Sequence, residues 1–436
     1  MEKKQTKISL QTALIICLVV LVLILITEVI VSKVTLAPMP TNINEVGNKQ
    51  AQTGDEVQAI SENIDKKNFE VSFLKLENNK KNMIYSPLSI KYALKMLEEG
   101  ADGNTEAQIN NLIGDLSLTK YENIDKVLSF ANAVYIRDTY SSYVKDSYKN
   151  VLSQKYSAEI KYDSFANAKN VNSWIENKTL GIIKNMLSDG LVQNPDSQML
   201  LINALAIDME WKDRFQDKDT YGRDFYLENG KTMKATTMSQ KTSSDAVSYY
   251  KDSKVTALSM DLLKYNDKQL EFIAIMPNKD LSEYVKTFDN KELNNITNKL
   301  IKASNIKNGV QIYIPKFSFD YSLKLKDDLI KLGITDAFDR RTANFTNMSS
   351  EELYVSDALH KANIDFTEKG VKAAAVTVFA MMSNSMIRDE GRPEEVKIDK
   401  PFLFVIRDKE TAEIWFTGTV YEPNSWEKDK AEYSYR

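Results

Sequence analysis

Between Ala13 and Ile26 the chain carries an unbroken apolar run (ALIICLVVLVLILI), which Val29-Ile30-Val31 extend past Glu28. Polar positions then dominate from 35 to 60 without a sustained period, the pattern of a linker. A helical period begins near Ser61, with Phe69, Phe73, Leu74 and Leu76 as apolar anchors. Helical spacing recurs over 87–99, 105–114, 120–132, 143–156, 168–178, 281–288, 291–303 and 321–332. Runs with strand character fall at 132–136, 198–209, 254–264, 269–276, 310–317, 361–366, 396–406 and 412–420. Helices and strands are mixed and the strand runs are long, which points to an α+β fold rather than regular βαβ alternation. Nothing between 61 and 423 marks a domain boundary, and 424–436 is a polar, charged tail expected to be solvated.

Residues 366–406 (FTEKGVKAAAVTVFAMMSNSMIRDEGRPEEVKIDKPFLFVI) break this regularity in an informative way. Strand side chains alternate faces. Counted so, one face carries Val371, Ala373, Ala375, Thr377, Phe379 and Met381, none of them charged. The other carries Lys372, Ala374, Val376, Val378, Ala380 and Met382, so its one charge is free to face water. A segment with this pattern can enter the middle of a sheet without burying an ion, which would be costly. Gly370 offers a pivot with free φ, and the β-branched residues at 376–378 favour extended backbone. The chain then turns polar from Asp389 to Glu395 and resumes an apolar strand pattern around Lys400-Pro401-Phe402. From periodicity alone, an edge strand leading into a long loop fits equally well.

Composition narrows the classes. An apolar fraction of 43% fills a core, and 14 Gly with 9 Pro argue against low complexity. The net charge of −4 gives no reason to expect a nucleic-acid partner. Lys3, Lys4 and Lys7 ahead of the apolar run place the N-terminus in the cytoplasm and the remainder outside. The run is short against the ~20 apolar residues of a spanning helix. A cleavable signal is therefore the competing reading, with Thr35 and Ala37 as small residues that Pro38 disfavours as a cleavage site. We read 1–34 as an uncleaved signal anchor and 35–60 as its linker. The protein is then a single-pass cell-membrane protein with its folded part extracellular, or a secreted one if the signal is cut. Cys17, the only cysteine, lies in this run, so no disulfide forms within the chain.

His360 is the only histidine. It excludes any zinc site with two His ligands, and any Ser-His-Asp triad in which it is not itself the base. Ser72-Phe73-Leu74-Lys75 and Ser117-Leu118-Thr119-Lys120 match S-x-x-K, a motif common by chance, and no K-T-G box accompanies them. Neither an enzyme nor a bound cofactor is expected.

Val396 to Ile406, with Asp399-Lys400-Pro401-Phe402 at its centre, resembles the C-terminal signature of the serpins. Glu368-Lys369-Gly370 followed by the Ala373-Ala374-Ala375 triplet resembles the hinge of that family's reactive-centre loop. Asn82 to Ile90, Asn203-Ala204 through Trp211 to Phe215, Phe225 to Met238 and Gly418 to Pro423 resemble further family segments in family order. The resemblance spans about 62–423, within a folded region taken as 61–423. It implies the serpin fold: a large central, mostly antiparallel sheet, smaller sheets, about nine helices and an exposed reactive-centre loop. It also implies a shutter of Ser86, Ser89, Asn203 and His360 beneath the strands that part for the loop, with Trp211 in the breach at the top of the sheet. Ser, Asn and His suit such a place because they exchange hydrogen-bond partners readily.

The function implied is inhibition of a protease by a suicide mechanism, in which the cut loop inserts into the main sheet. In serpins such insertion is a strand addition that releases strain stored in the native fold. Counting sixteen residues from Glu368 reaches Asn384, which makes Asn384–Ser385 the expected reactive bond. The stretch to Pro401 is long for the family, so Met382, Met386 and Arg388 stay as alternatives. A serine protease is the expected target, a papain-like cysteine protease an open one, and the protein a monomer. Val371 stands where inhibitory members usually carry Thr or Ser, which keeps a non-inhibitory binding or carrier serpin as the alternative.

Overall fold

A computed structural model describes residues 68–114, 121–371 and 392–427. The chain divides into units over 1–59 and 60–436, and all described residues belong to the second. The expected anchor and linker lie outside the described residues, among which no helix is long and apolar enough to cross a membrane.

The described residues form nine α-helices and eighteen strands. The helices are α1 (Phe69–Leu76), α2 (Pro87–Glu98), α3 (Gly103–Ile113), α4 (Asp146–Tyr156), α5 (Lys169–Lys178), α6 (Asp189–Gln193), α7 (Leu281–Val285), α8 (Asn290–Thr297) and α9 (Leu325–Lys331). The first strands are β1 (Met83–Tyr85), β2 (Leu128–Arg137), β3 (Glu159–Asp163), β4 (Met199–Ile207) and β5 (Met209–Glu210). Next come β6 (Thr220–Tyr226), β7 (Thr232–Thr242), β8 (Val247–Lys251), β9 (Val255–Asp261), β10 (Leu270–Pro277) and β11 (Ile301–Lys302). The last are β12 (Val310–Pro315), β13 (Phe317–Lys324), β14 (Leu359–Phe366), β15 (Gly370–Val371), β16 (Glu394–Lys397), β17 (Phe402–Asp408) and β18 (Ile414–Val420).

One sheet of seven strands runs β1-β18-β17-β10-β9-β8-β11, and a second of four runs β16-β12-β7-β6. The large central sheet is present as two panels, β3-β2-β4 and β13-β14-β15-β5. Pairing is antiparallel except for β2–β3 and β12–β16. The α+β expectation holds. Helix α2 follows from its own residues: Ser86 caps it by accepting Ser89 N–H (3.0 Å), and Pro87 fills the first turn, where no N–H is needed. Its Leu88, Ile90, Leu94 and Met96 are buried.

Several expectations need correction. Within 120–132, the described residues from 128 onward are strand β2, which is buried along nearly its whole length and therefore shows no alternation to separate strand from helix. In 321–332, β13 continues to Lys324 before α9 starts, because Phe317, Phe319, Tyr321 and Leu323 alternate with exposed positions. Periodicity does not reveal the hairpin β6–β7, although Asn229-Gly230 marks its turn with Gly230 at φ +78. The tail is also less free than its composition suggests, since Ser425 bridges Ala235 of β7.

Candidate functional site

Strand β14 ends at Phe366, and the chain turns back with Thr367 N–H donating to Gly370 O (3.0 Å). Gly370 and Val371 then form β15, with Val371 paired to Phe366 on one side and to Met209 of β5 on the other. The hinge thus already sits between two strands of the central sheet. Gly370 does not have the positive φ that a pivot would use. A Cβ on it would lie 2.1 Å from Met209 O, so the residue is glycine for close approach to β5. Val371 is 3% exposed.

Trp211 fastens this turn. Its indole N–H donates to Thr367 O (2.8 Å) and its backbone N–H to Lys369 O (2.9 Å), while Phe215 N–H reaches Glu368 O (3.1 Å). The ring is buried beside Phe366 and Phe272, at centroid distances of 5.1 and 5.9 Å. Glu368 is buried, with one carboxylate oxygen accepting from Thr220 Oγ1 (2.8 Å) and the other from Lys316 Nζ (2.8 Å). Burial pushes its carboxyl up, but the Lys316 ammonium with the Thr220 and backbone hydrogen bonds outweighs it and holds the group below the usual carboxylate range. The sequence singles out Glu368 and Trp211, but Lys316 and Thr220 carry no local mark and are found only through the fold.

Below the hinge, β4 and β14 belong to different panels, with no ladder between them among the described residues. Both line a slot. Its upper part is a cavity of 20 Å³ that includes Leu205, Ile207, Ile364 and Val371. Its lower part is a cavity of 160 Å³ between Met199–Ile202 and Leu359, floored by Ile90, Leu94 and Leu97 of α2. The segment after α5 lies across both, contributing Ile182 and Ile183 above and Met186 and Leu187 below, and Lys361 of β14 holds Lys184 O (3.0 Å).

A polar belt crosses under the slot at the place expected for the shutter. His360 Nε2 on β14 accepts Ser86 N–H (3.0 Å). Ser89 Oγ donates to Asn203 Oδ1 on β4, and Asn203 Nδ2 donates to Asn132 Oδ1 (2.7 Å) on β2. Asn132 Nδ2 finishes the chain on Tyr156 O (2.8 Å). The first turn of α2 therefore ties together strands on both sides of the slot. Burial pushes the His360 imidazolium pKa down to about 4, so the ring is neutral and free to accept that bond. All four expected shutter residues meet here. Sequence reasoning misses Asn132, although a polar residue inside the apolar run SFANAVYI and opposite Asn203 in register is the trace it leaves.

No acyl-transfer site emerges from these groups. His360 is used by a backbone N–H, Ser86 caps a helix, and Ser72 Oγ donates to Asn68 O (2.9 Å) rather than facing Lys75. No group of three His, Cys, Asp or Glu placed to hold a metal ion occurs among the described residues. The expected hinge residues Ala373, Ala374 and Ala375, the bond Asn384–Ser385 and the alternatives Met382, Met386 and Arg388 lie outside the described residues. The chain returns at Arg392 and enters β16 alongside β12.

Comparison with known proteins agrees with this architecture. A serpin-like protein of Thermococcus kodakarensis is 30% identical over 372 residues, 80% of this chain and 83% of its own. The leukocyte elastase inhibitor of Equus caballus is 28% identical over 366 residues, 78% of this chain and 93% of its own. The structure of thyroxine-binding globulin with thyroxine superposes with a TM-score of 0.68 at 25% identity, covering 83% of this chain and 98% of that one. The sequence model described as "Serpin (serine protease inhibitor)" matches residues 67–423. With that span matched, the chain belongs to the serpin family.

Proposed function

We propose that this serpin is inhibitory and traps a protease as a suicide substrate, with its folded unit displayed outside the cell. One observation carries the proposal: Gly370–Val371 is already a strand between β14 and β5, at the head of a slot whose sides share no ladder. Strand edges facing such a slot offer backbone donors and acceptors to an incoming strand. Each bond so made is worth about 0.5–1.5 kcal/mol, a gain that favours one-way insertion. The target's serine hydroxyl, or a papain-like thiol, attacks the carbonyl of Asn384, and the amine of Ser385 leaves. The freed loop inserts with Val371, Ala373 and Ala375 on the buried face, and the acylated enzyme is displaced before water releases it. Met382, Met386 and Arg388 are the alternative cleavage residues. The leukocyte elastase inhibitor among the relatives supports an inhibitory reading.

Lys3, Lys4 and Lys7 before the apolar run support a membrane anchor with the serpin unit outside, and cleavage of that segment would instead give a secreted protein. A carrier role draws on one observation of its own, the 160 Å³ cavity, whose apolar lining from Ile90, Leu94 and Phe338 is joined by Asp196, Gln198 and Asp357.

The deciding experiment mixes the full-length chain in mild detergent with subtilisin, chymotrypsin, elastase, trypsin, papain and an asparaginyl endopeptidase. A denaturing gel reads covalent complex, and mass spectrometry of the released peptide locates the cut. A stable complex with a new N-terminus at Ser385 is expected. Clean cleavage without complex throughout the panel rejects inhibition in favour of the carrier.

A further inference from the structure

Glu368, the residue that locks the hinge turn, is gripped from two elements: Lys316 ahead of β13 and Thr220 at the start of β6. The C-terminal tail reaches both. Asn424 donates its backbone N–H to Lys316 O (2.9 Å), accepts Thr236 N–H on its carbonyl (2.9 Å) and accepts Ser318 N–H on Oδ1 (3.1 Å). Lys316 N–H in turn donates to Thr236 O (2.8 Å), so the main chain on both sides of the Lys316 side chain is fixed. Ser425 O accepts from Thr236 Oγ1 (3.1 Å), and Trp426 N–H donates to Lys234 O (2.8 Å). The Trp426 indole rests against Gly222 of β6, two residues beyond Thr220. A Cβ at that glycine would meet the ring at 2.5 Å.

We propose that Asn424 and Trp426 are positioning residues for the hinge. They hold Lys316 and Thr220 where these two grip Glu368, and so set how readily the loop leaves its native place. A charge-assisted hydrogen bond depends on a narrow geometry, and a supporting layer that fixes the donor's backbone keeps it. The inference rests on loop insertion as described above, although not on any protease being inhibited. Within the tail, Asn424 and Ser425 are exposed and Trp426 is half-buried, so their contacts act on these strands rather than filling the core.

The test uses the full-length chain with Trp426→Ala and Gly222→Val, the second of which leaves the tail intact and removes the seat of the indole. Trp426→Phe is the conservative control. Each is made with Glu368 present and with Glu368→Gln, and the rate of spontaneous conversion of uncut protein to a denaturant-resistant, loop-inserted form is measured on warming. If the tail acts through the latch, Trp426→Ala and Gly222→Val accelerate conversion about tenfold with Glu368 present and no more than about twofold with Glu368→Gln, a non-additive cycle. Trp426→Phe stays near wild type. Equal acceleration in both backgrounds makes the tail a general stabiliser and overturns the assignment, as does no acceleration. A protein that becomes denaturant-resistant yet traps no protease fails as an inhibitor and leaves this proposal to the rates. One that never becomes resistant, cut or uncut, overturns both.

Discussion

Arginine in place of Val371 separates seating of the hinge from insertion of the loop. Val371 is 3% exposed and paired on both sides, and its burial contributes about 1.5–2 kcal/mol. The two-residue strand adds two or three bonds at about 1 kcal/mol each. Ordering two residues costs about 2–3 kcal/mol. If the hinge lifts out so that arginine faces water, the native state therefore loses only about 1–2 kcal/mol, a melting shift of a few degrees. Insertion is affected far more, because the upper slot is lined by Ile84, Leu205, Ile207, Ile364 and Phe416, with no acid to pair the guanidinium. An unpaired buried ion costs several kcal/mol, and about 4 kcal/mol on the barrier slows insertion on the order of a thousandfold. The assay compares wild type and Val371→Arg for melting temperature before and after a cut in the loop, and for covalent complex with a trapped enzyme. Wild type gains heat resistance on cutting and forms complex, whereas the variant is cut at a similar rate and does neither. A variant that keeps both the heat resistance and the complex refutes the reasoning.

Acid weakens the native state through His360. Its folded pKa of about 4 lies below the unfolded 6.5, so the unfolded chain binds more protons between these values and stability falls as pH drops through that window. Denaturant midpoints are expected to fall by about 2 kcal/mol at pH 5 relative to pH 7.5, with a His360→Gln variant lacking that part of the slope. Glu368→Gln removes the charge that Lys316 holds and costs about 1.5–3 kcal/mol at neutral pH. Because the folded carboxyl titrates below its unfolded value, its contribution is present above the usual carboxylate range and lost in acid. The gap between Glu368→Gln and wild type should then close as pH falls, and a gap that stays constant would reject the latch. Gly370→Ala meets Met209 O at 2.1 Å and forces the hinge out of its seat, which hydrogen exchange at Gly370 and Val371 amides reads as lost protection.

The sequence alone determined the elements whose chemistry is local. The Ser86-Pro87 start of α2 and the motif around Asp399-Lys400-Pro401-Phe402 each act through neighbours in the chain, so spacing is enough to read them. The shutter residues follow from a resemblance and do converge, because a polar side chain buried among apolar strands must find partners. What only the tertiary structure decided depends on groups far apart in sequence. Burial along both faces of β2 erases alternation over 128–131, so there its strand character appears only in its pairing with β4, whereas 132–136 already reads as strand. Gly370 is glycine because of Met209 O, far earlier in the chain, and no local rule carries that distance. Lys316 and Thr220 look like ordinary surface residues until the fold places them on one buried carboxylate. Desolvation and close approach belong to the packed chain, and there the physical reason for these residues resides.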